Sequence, residues 1–179
     1  MGREIALGEG LWLYPLRTPT LPPATATNTL VVCGEHSVAV IEPGCPYAEE
    51  SEALYARLDE LQRAHKALEW IVPTHQHADH IGGVSALRER FGGRVVAHPA
   101  TETRLPFAVN LLVDEGEAID LGGQSLEFLH TPGHAPGHLV VWLAKHRLAH
   151  GGDLVASEGT ILVDLRDGRG DIDDIDHLG

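Results

Sequence analysis

The stretch Thr74-His75-Gln76-His77-Ala78-Asp79-His80 limits the folds open to this chain. It sets three histidines and a carboxylate within six positions, directly after the apolar run 68–72. Neutral imidazole and carboxylate are ordinary ligands of zinc and similar borderline metals. A fold that uses them must end a strand here and let the chain turn. Residues i and i+2 of an extended segment point to one side, which aims His75 and His77 together, and a turn behind them returns Asp79 and His80 to the same point. Gly82-Gly83 follows at once and opens the loop. The bland reading, a solvated loop in a chain with twelve histidines, does not account for a pattern so dense and ordered.

Strand patterns recur on both sides of this stretch. Residues 11–23 are apolar but carry Pro15, Pro19, Pro22 and Pro23, which predicts a short edge strand and then an extended loop. Residues 29–33 and 37–42 are β-rich and flank Gly34-Glu35-His36, a hairpin signature, and Pro43-Gly44-Cys45-Pro46 ends the second strand. Helical spacing predicts a helix over 47–66, with Ala53, Leu54, Leu58 and Leu61 on one face, and another over 82–91, with Val84, Leu87 and Phe91. Further strands are predicted over 69–72, 94–97, 118–121, 125–130, 139–144 and 147–150, and 161–163 is a short apolar run. Residues 98–102 read as a helical turn or a loop. Strands dominate both halves with helices between them, so two sheets with helices on their outer faces are expected. No linker or sequence repeat divides residues 1–179, which read as one domain.

Composition narrows the function. A net charge of −13 repels polyphosphate and leaves no basic stripe, which weighs against a nucleic-acid partner. A small-molecule substrate is the expected partner, since metal charge offsets part of the acidity locally. No apolar run is long enough to span a membrane, and Met1-Gly2-Arg3-Glu4 opens no secretory signal. Cys33 and Cys45 cannot build a disulfide framework and read as ordinary thiols, so a cytoplasmic location is expected. Nothing in the sequence reports on oligomeric state.

Two further strand ends carry candidate ligands. In Thr131-Pro132-Gly133-His134-Ala135-Pro136-Gly137-His138, two glycines and two prolines make a sharply turned loop able to hold His134 at a fixed angle. His138 opens the next strand and reads as a group behind the ligands or as a structural one. In His150-Gly151-Gly152-Asp153 the carboxylate suits a cap, a turn, or a bridge between two metals. His36, His65, His98, His130, His146 and His177 have no comparable context and are expected mostly at the surface.

Together these residues resemble the metallo-β-lactamase superfamily. The HxHxDH motif is matched by His75-Gln76-His77-Ala78-Asp79-His80, the second motif by Thr131-Pro132-Gly133-His134, and the third by Gly152-Asp153. Residues 28–43, with Gly44, are similar to the family's opening hairpin, which ends in an acidic residue followed by Pro-Gly. The resemblance implies an α/β fold, an αββα four-layer sandwich, with one or two metals at its edge. Zinc is the usual metal, and iron or manganese suits the same donors. It implies that His75, His77 and His134 hold one metal, that Asp79 and His80 hold a second, and that Asp153 lies between. Within the superfamily the region 153–164, including Ser157-Glu158-Gly159-Thr160, looks most like the glyoxalase II-like hydrolases, and more narrowly like the endoribonuclease β-lactamase-like 2 group. Such proteins add a further histidine after two more helices. No such segment follows here, so a C-terminally truncated domain lacking those helices, or a weakly held second metal, is expected.

The implied chemistry is metal-assisted hydrolysis. Bound zinc lowers the pKa of its water to about 7, and Asp79 would orient the resulting nucleophile or, with one metal, act as general base. The leading expectation is a hydrolase of a small thioester or ester. Phosphodiester cleavage of RNA or a nucleotide, β-lactam hydrolysis, iron-dependent oxygen chemistry and metal binding without catalysis are the alternatives.

Overall fold

The computed structural model describes residues 3–154. The apolar run 161–163, the segment 157–160, the acidic tail and His177 lie outside the described residues. From the N-terminus come β1 (Ile5–Gly8), β2 (Leu11–Arg17), β3 (Ala26–Cys33) and β4 (Val38–Ile41), each antiparallel to the one before. Helix α1 (Glu52–Arg63) crosses over to β5 (Leu68–Val72), which runs parallel to β4. The short α2 (Ala78–Ile81) and then α3 (Val84–Phe91) lead to β6 (Arg94–Ala97), and α4 (Pro99–Glu102) leads to β7 (Leu111–Leu112). These seven strands lie in chain order in one mixed sheet. A second, antiparallel sheet follows, made of β8 (Ala118–Asp120), β9 (Ser125–His130), β10 (Leu139–Leu143) and β11 (Leu148–His150), in the order β11-β10-β9-β8.

Period-two alternation divides the side chains between two cores. From β3, Leu30 and Val32 join Ile41, Val72, Phe128, Leu139 and Val141 between the sheets. Val31 and Cys33 face the other way, against Leu54 and Leu58 of α1 and Leu87 and Phe91 of α3. All four residues of β4 are buried, as a strand covered on both faces requires. Leu54, Leu58 and Leu61, at i, i+4 and i+7, are the buried stripe of α1, and each contributes about 1.5–3 kcal/mol by leaving water. Both cysteines are buried free thiols. The layers are therefore helix, sheet, sheet: α1 and α3 cover one face of the first sheet, and the second sheet packs on its other face.

Several elements depart from the sequence expectation. The helix expected over 47–66 begins only at Glu52, because residues 47–51 form turns closed by Ser51 N–H donating to Tyr47 O. The helix expected over 82–91 begins at Val84, because Gly83 N–H is taken by Pro43 O at 2.6 Å. Strand β2 is not a pure edge: β1, which carries no apolar alternation, pairs with residues 11–13. Pro15 lies beyond Leu13, the last residue of β2 that β1 pairs, so its missing N–H breaks no rung between these two strands.

The two sheets are joined at one edge by Leu139 N–H donating to Thr74 O at 3.0 Å. That bond sets the chain leaving β5 beside the chain entering β10, and the turn after β11 closes on the same place.

Candidate metal centre

Pro73 ends the β5 ladder, and residues 74–76 bend, so the first two histidines do not lie on an extended strand as expected. They meet nonetheless, through different ring nitrogens: His75 Nε2 is 3.0 Å from His77 Nδ1. His134 arrives from the loop between β9 and β10, its Nε2 3.2 Å from His75 Nε2 and 3.0 Å from His77 Nδ1. Donating Nδ1–H to Thr74 Oγ1 at 3.0 Å would leave His75 a lone pair on Nε2. Burial pushes the pKa of His75 well below 6.5 and lowers that of His77, with the neighbouring histidines adding to both. These two rings are therefore neutral, and three nitrogens so close cannot satisfy one another with protons. A cation that accepts lone pairs can. The edge of a tetrahedron around zinc with ordinary Zn–N bonds is about 3.3–3.4 Å, close to the separations here.

The carboxylates gather on the other side, around His80. Asp153 Oδ1 is 3.1 Å from His80 Nε2 and its Oδ2 is 3.3 Å from His134 Nε2, so one carboxylate faces both halves of the cluster. Asp79 Oδ2 is 3.5 Å from His80 Nε2, which is buried yet makes no aligned hydrogen bond. Burial alone would raise the pKa of Asp79, but His80, and Thr20 from the β2–β3 loop, hold it down to about 2. Burial likewise opposes charge on His80, yet Glu42, Asp153 and Asp79 together raise its pKa to about 12. Three carboxylates thus converge where one positive charge is needed. The imidazolium can supply it, or a metal ion can and so release Nε2 as a ligand. The six residues expected from sequence, His75, His77, Asp79, His80, His134 and Asp153, are all brought to this edge, and their chemistry fits a divalent cation.

Glu42 was not among them. It is fully buried at the end of β4, with a left-handed backbone (φ 57°) that turns its side chain inward. Oε1 accepts Thr74 N–H at 2.7 Å, while Oε2 pairs with His80 Nδ1. Its own carbonyl accepts from the Thr29 hydroxyl at 2.7 Å and from Gly44 N–H at 2.8 Å. A carboxylate on His80 Nδ1 holds the ring with Nε2 facing the cluster. The available signal was an acidic residue closing a continuously apolar strand, because a carboxylate buried there needs a cationic or N–H partner. Gly44 belongs to the same joint: a Cβ there would stand 1.7 Å from Asp79 O.

A second group, His98, Asp114 and His130, also brings potential ligand atoms together. His98 is buried and His130 half-buried, rather than at the surface as expected. Their rings stack, with centroids 4.0 Å apart and planes 15° apart. Ring-nitrogen lone pairs lie in the ring plane, so two near-parallel rings cannot both point at one ion. The group is instead a brace: His130 Nε2 is 2.9 Å from Pro136 O, in the loop that carries His134.

The fold and this site define a chain of the metallo-β-lactamase superfamily, whose profile matches residues 22–177, and the chain belongs to that family. It is 32% identical over 135 residues to a hydroxyacylglutathione hydrolase of Acidiphilium cryptum, covering 75% of this chain and 55% of that protein. To a hydroxyacylglutathione hydrolase of Cereibacter sphaeroides it is 33% identical over 145 residues, covering 81% and 54%. The chain thus spans about half the length of the curated relatives it matches. Among solved structures, a metallo-β-lactamase family protein from Thermus thermophilus superposes with a TM-score of 0.71 at 26% identity, covering 88% of this chain and 64% of that one. A metallo-β-lactamase from Pontibacter korlensis gives 0.73 at 22% identity, covering 89% and 75%, a likeness of fold alone. No helix of the described residues is long and apolar enough to cross a membrane.

Proposed function

We propose that residues 1–179 form one metal-binding domain that hydrolyses a small thioester. The observation that carries the reading is the convergence of three ring nitrogens within 3.0–3.2 Å beside a carboxylate that faces both them and His80. In this reading His75, His77 and His134 hold one cation, Asp79 and His80 a second, and Asp153 stands between. Zinc suits the donor set, and iron or manganese suits it too. Bound there, zinc would supply a water whose pKa is lowered to about 7 and an electrophile for the carbonyl oxygen.

The remaining work falls to the chain itself. Asp79, ionised throughout the neutral range, accepts a hydrogen bond from the attacking water and orients it. Glu42 keeps the His80 proton on Nδ1, away from the reacting centre. The excess of carboxylates around His80 disfavours a polyanion such as RNA, whereas a thioester carbonyl is neutral. The thioester class follows from the similarity to hydroxyacylglutathione hydrolases.

The test is a side-by-side assay of S-lactoylglutathione, a single-stranded RNA and nitrocefin with zinc-loaded protein. Turnover of the thioester at least tenfold above either alternative is expected. Preference for RNA or nitrocefin would replace the substrate class, and no turnover of any would leave a metal-binding domain without hydrolysis.

A further inference from the structure

His138 is fully buried, and both its ring nitrogens are engaged away from the cluster. Nε2 accepts the backbone N–H of Asp153 at 3.2 Å. A backbone N–H only donates, so Nε2 carries a lone pair and Nδ1 carries the proton, directed at Thr131 Oγ1 at 2.8 Å. The Thr131 hydroxyl donates to His138 O at 3.5 Å, and Thr131 N–H donates to the same carbonyl at 2.9 Å. The ring, at the start of β10, is clamped between Thr131, directly after β9, and the turn that carries Asp153.

The turn is shaped to lie on that ring. Gly152 has φ 52°, and a Cβ there would stand 2.6 Å from both His138 Nε2 and Thr74 Oγ1. The backbone around Asp153 therefore rests directly against the imidazole. From that seat the carboxylate reaches His80 with one oxygen and His134 with the other. A shift of the turn by an ångström would leave it serving one half of the site only.

We propose that His138 is a positioning residue, not a ligand: its Nε2 fixes the Asp153 backbone so that the carboxylate can span both cation positions. The inference rests on the proposed metal-dependent function and adds to it the group that sets the bridge. What matters is the acceptor at Nε2, which separates this role from filling space in the core.

Two variants of the full chain isolate that acceptor. His138→Gln retains an oxygen able to take the Asp153 N–H, while His138→Met keeps comparable bulk and offers no comparable acceptor. Zinc and, for its absorption spectrum, cobalt(II) are titrated into metal-stripped wild type and both variants, with thermal melts of the stripped proteins alongside. For His138→Met, first-equivalent affinity within about threefold of wild type is expected, with the second weakened about 10- to 100-fold and its cobalt band altered. For His138→Gln, both affinities within about threefold of wild type are expected. Wild-type binding by both variants overturns the inference, as does equal failure of the two, whether in metal binding or in folding. A wild type that binds no metal overturns the functional reading itself, which keeps the two failures apart.

Discussion

Replacing Glu42 by Gln removes one charge at a site that is fully buried and whose two oxygens are both used. The amide oxygen can still accept Thr74 N–H, so the backbone at the end of β5 keeps its partner. The amide nitrogen then faces His80 Nδ1, and two donors cannot share that position. His80 must therefore carry its proton on Nε2, the atom turned toward Asp79 and Asp153. Holding the productive tautomer against this preference forfeits one charge-assisted hydrogen bond, worth about 1.5–3 kcal/mol. That range agrees with the 10- to 100-fold typical for a group behind a metal ligand. The measurement is zinc binding to stripped protein against a chromophoric chelator. The second equivalent is expected to weaken about 10- to 100-fold, and the first, held by His75, His77 and His134, to change by less than about threefold. Wild-type affinity for both equivalents in Glu42→Gln would refute the role given to this carboxylate.

Other consequences follow from the same geometry. Filling the second position must displace a proton from His80, whose pKa is near 12, whereas His75 and His77 are already neutral. Calorimetry at pH 7 in buffers of different ionisation enthalpy is therefore expected to show about one proton more released with the second equivalent than with the first. His138 has a folded pKa depressed from 6.5 to about 4 by burial, so the unfolded chain binds the extra proton between those values. Stripped protein is thus expected to lose stability as pH falls from 6.5 toward 4, by up to roughly 3 kcal/mol from this ring, seen as a falling melting temperature. A flat profile would contradict the ring's burial. Gly44→Ala places a methyl group onto Asp79 O, which costs about 1–3 kcal/mol or more. A melting temperature several degrees lower and loss of the second metal are expected together. Asp79→Ala and His77→Ala are each expected to remove hydrolysis while leaving the fold, checked by turnover and circular dichroism.

The residues that meet at the candidate centre were legible because their information is local. Histidines at strand ends, with glycine and proline behind them, announce themselves within eight residues, and the β-branched runs of β3, β4 and β5 read directly as strands. What escaped depended on contacts distant in sequence. Glu42 acts on His80 across 38 residues, and its inward aim comes from a left-handed backbone that its residue type does not favour. His98 looked solvated because nothing nearby in sequence shows the ring of His130 stacking on it. Strand β1 carries no buried residue, so no alternation betrays it, and β7 is only two residues long. The helical spacing read over 82–91 showed neither the short α2 that precedes it nor the capture of Gly83 N–H by the Pro43 carbonyl, which delays the helix to Val84.

Metal dependence of thioester hydrolysis tests the central claim most directly. Protein stripped by a chelator and freed of it is titrated with zinc while S-lactoylglutathione hydrolysis is followed. Turnover is expected to be absent at the start, to rise with added metal, and to saturate at one to two equivalents per chain. Hydrolysis that persists undiminished in the stripped protein, or that ignores added zinc, would contradict the account.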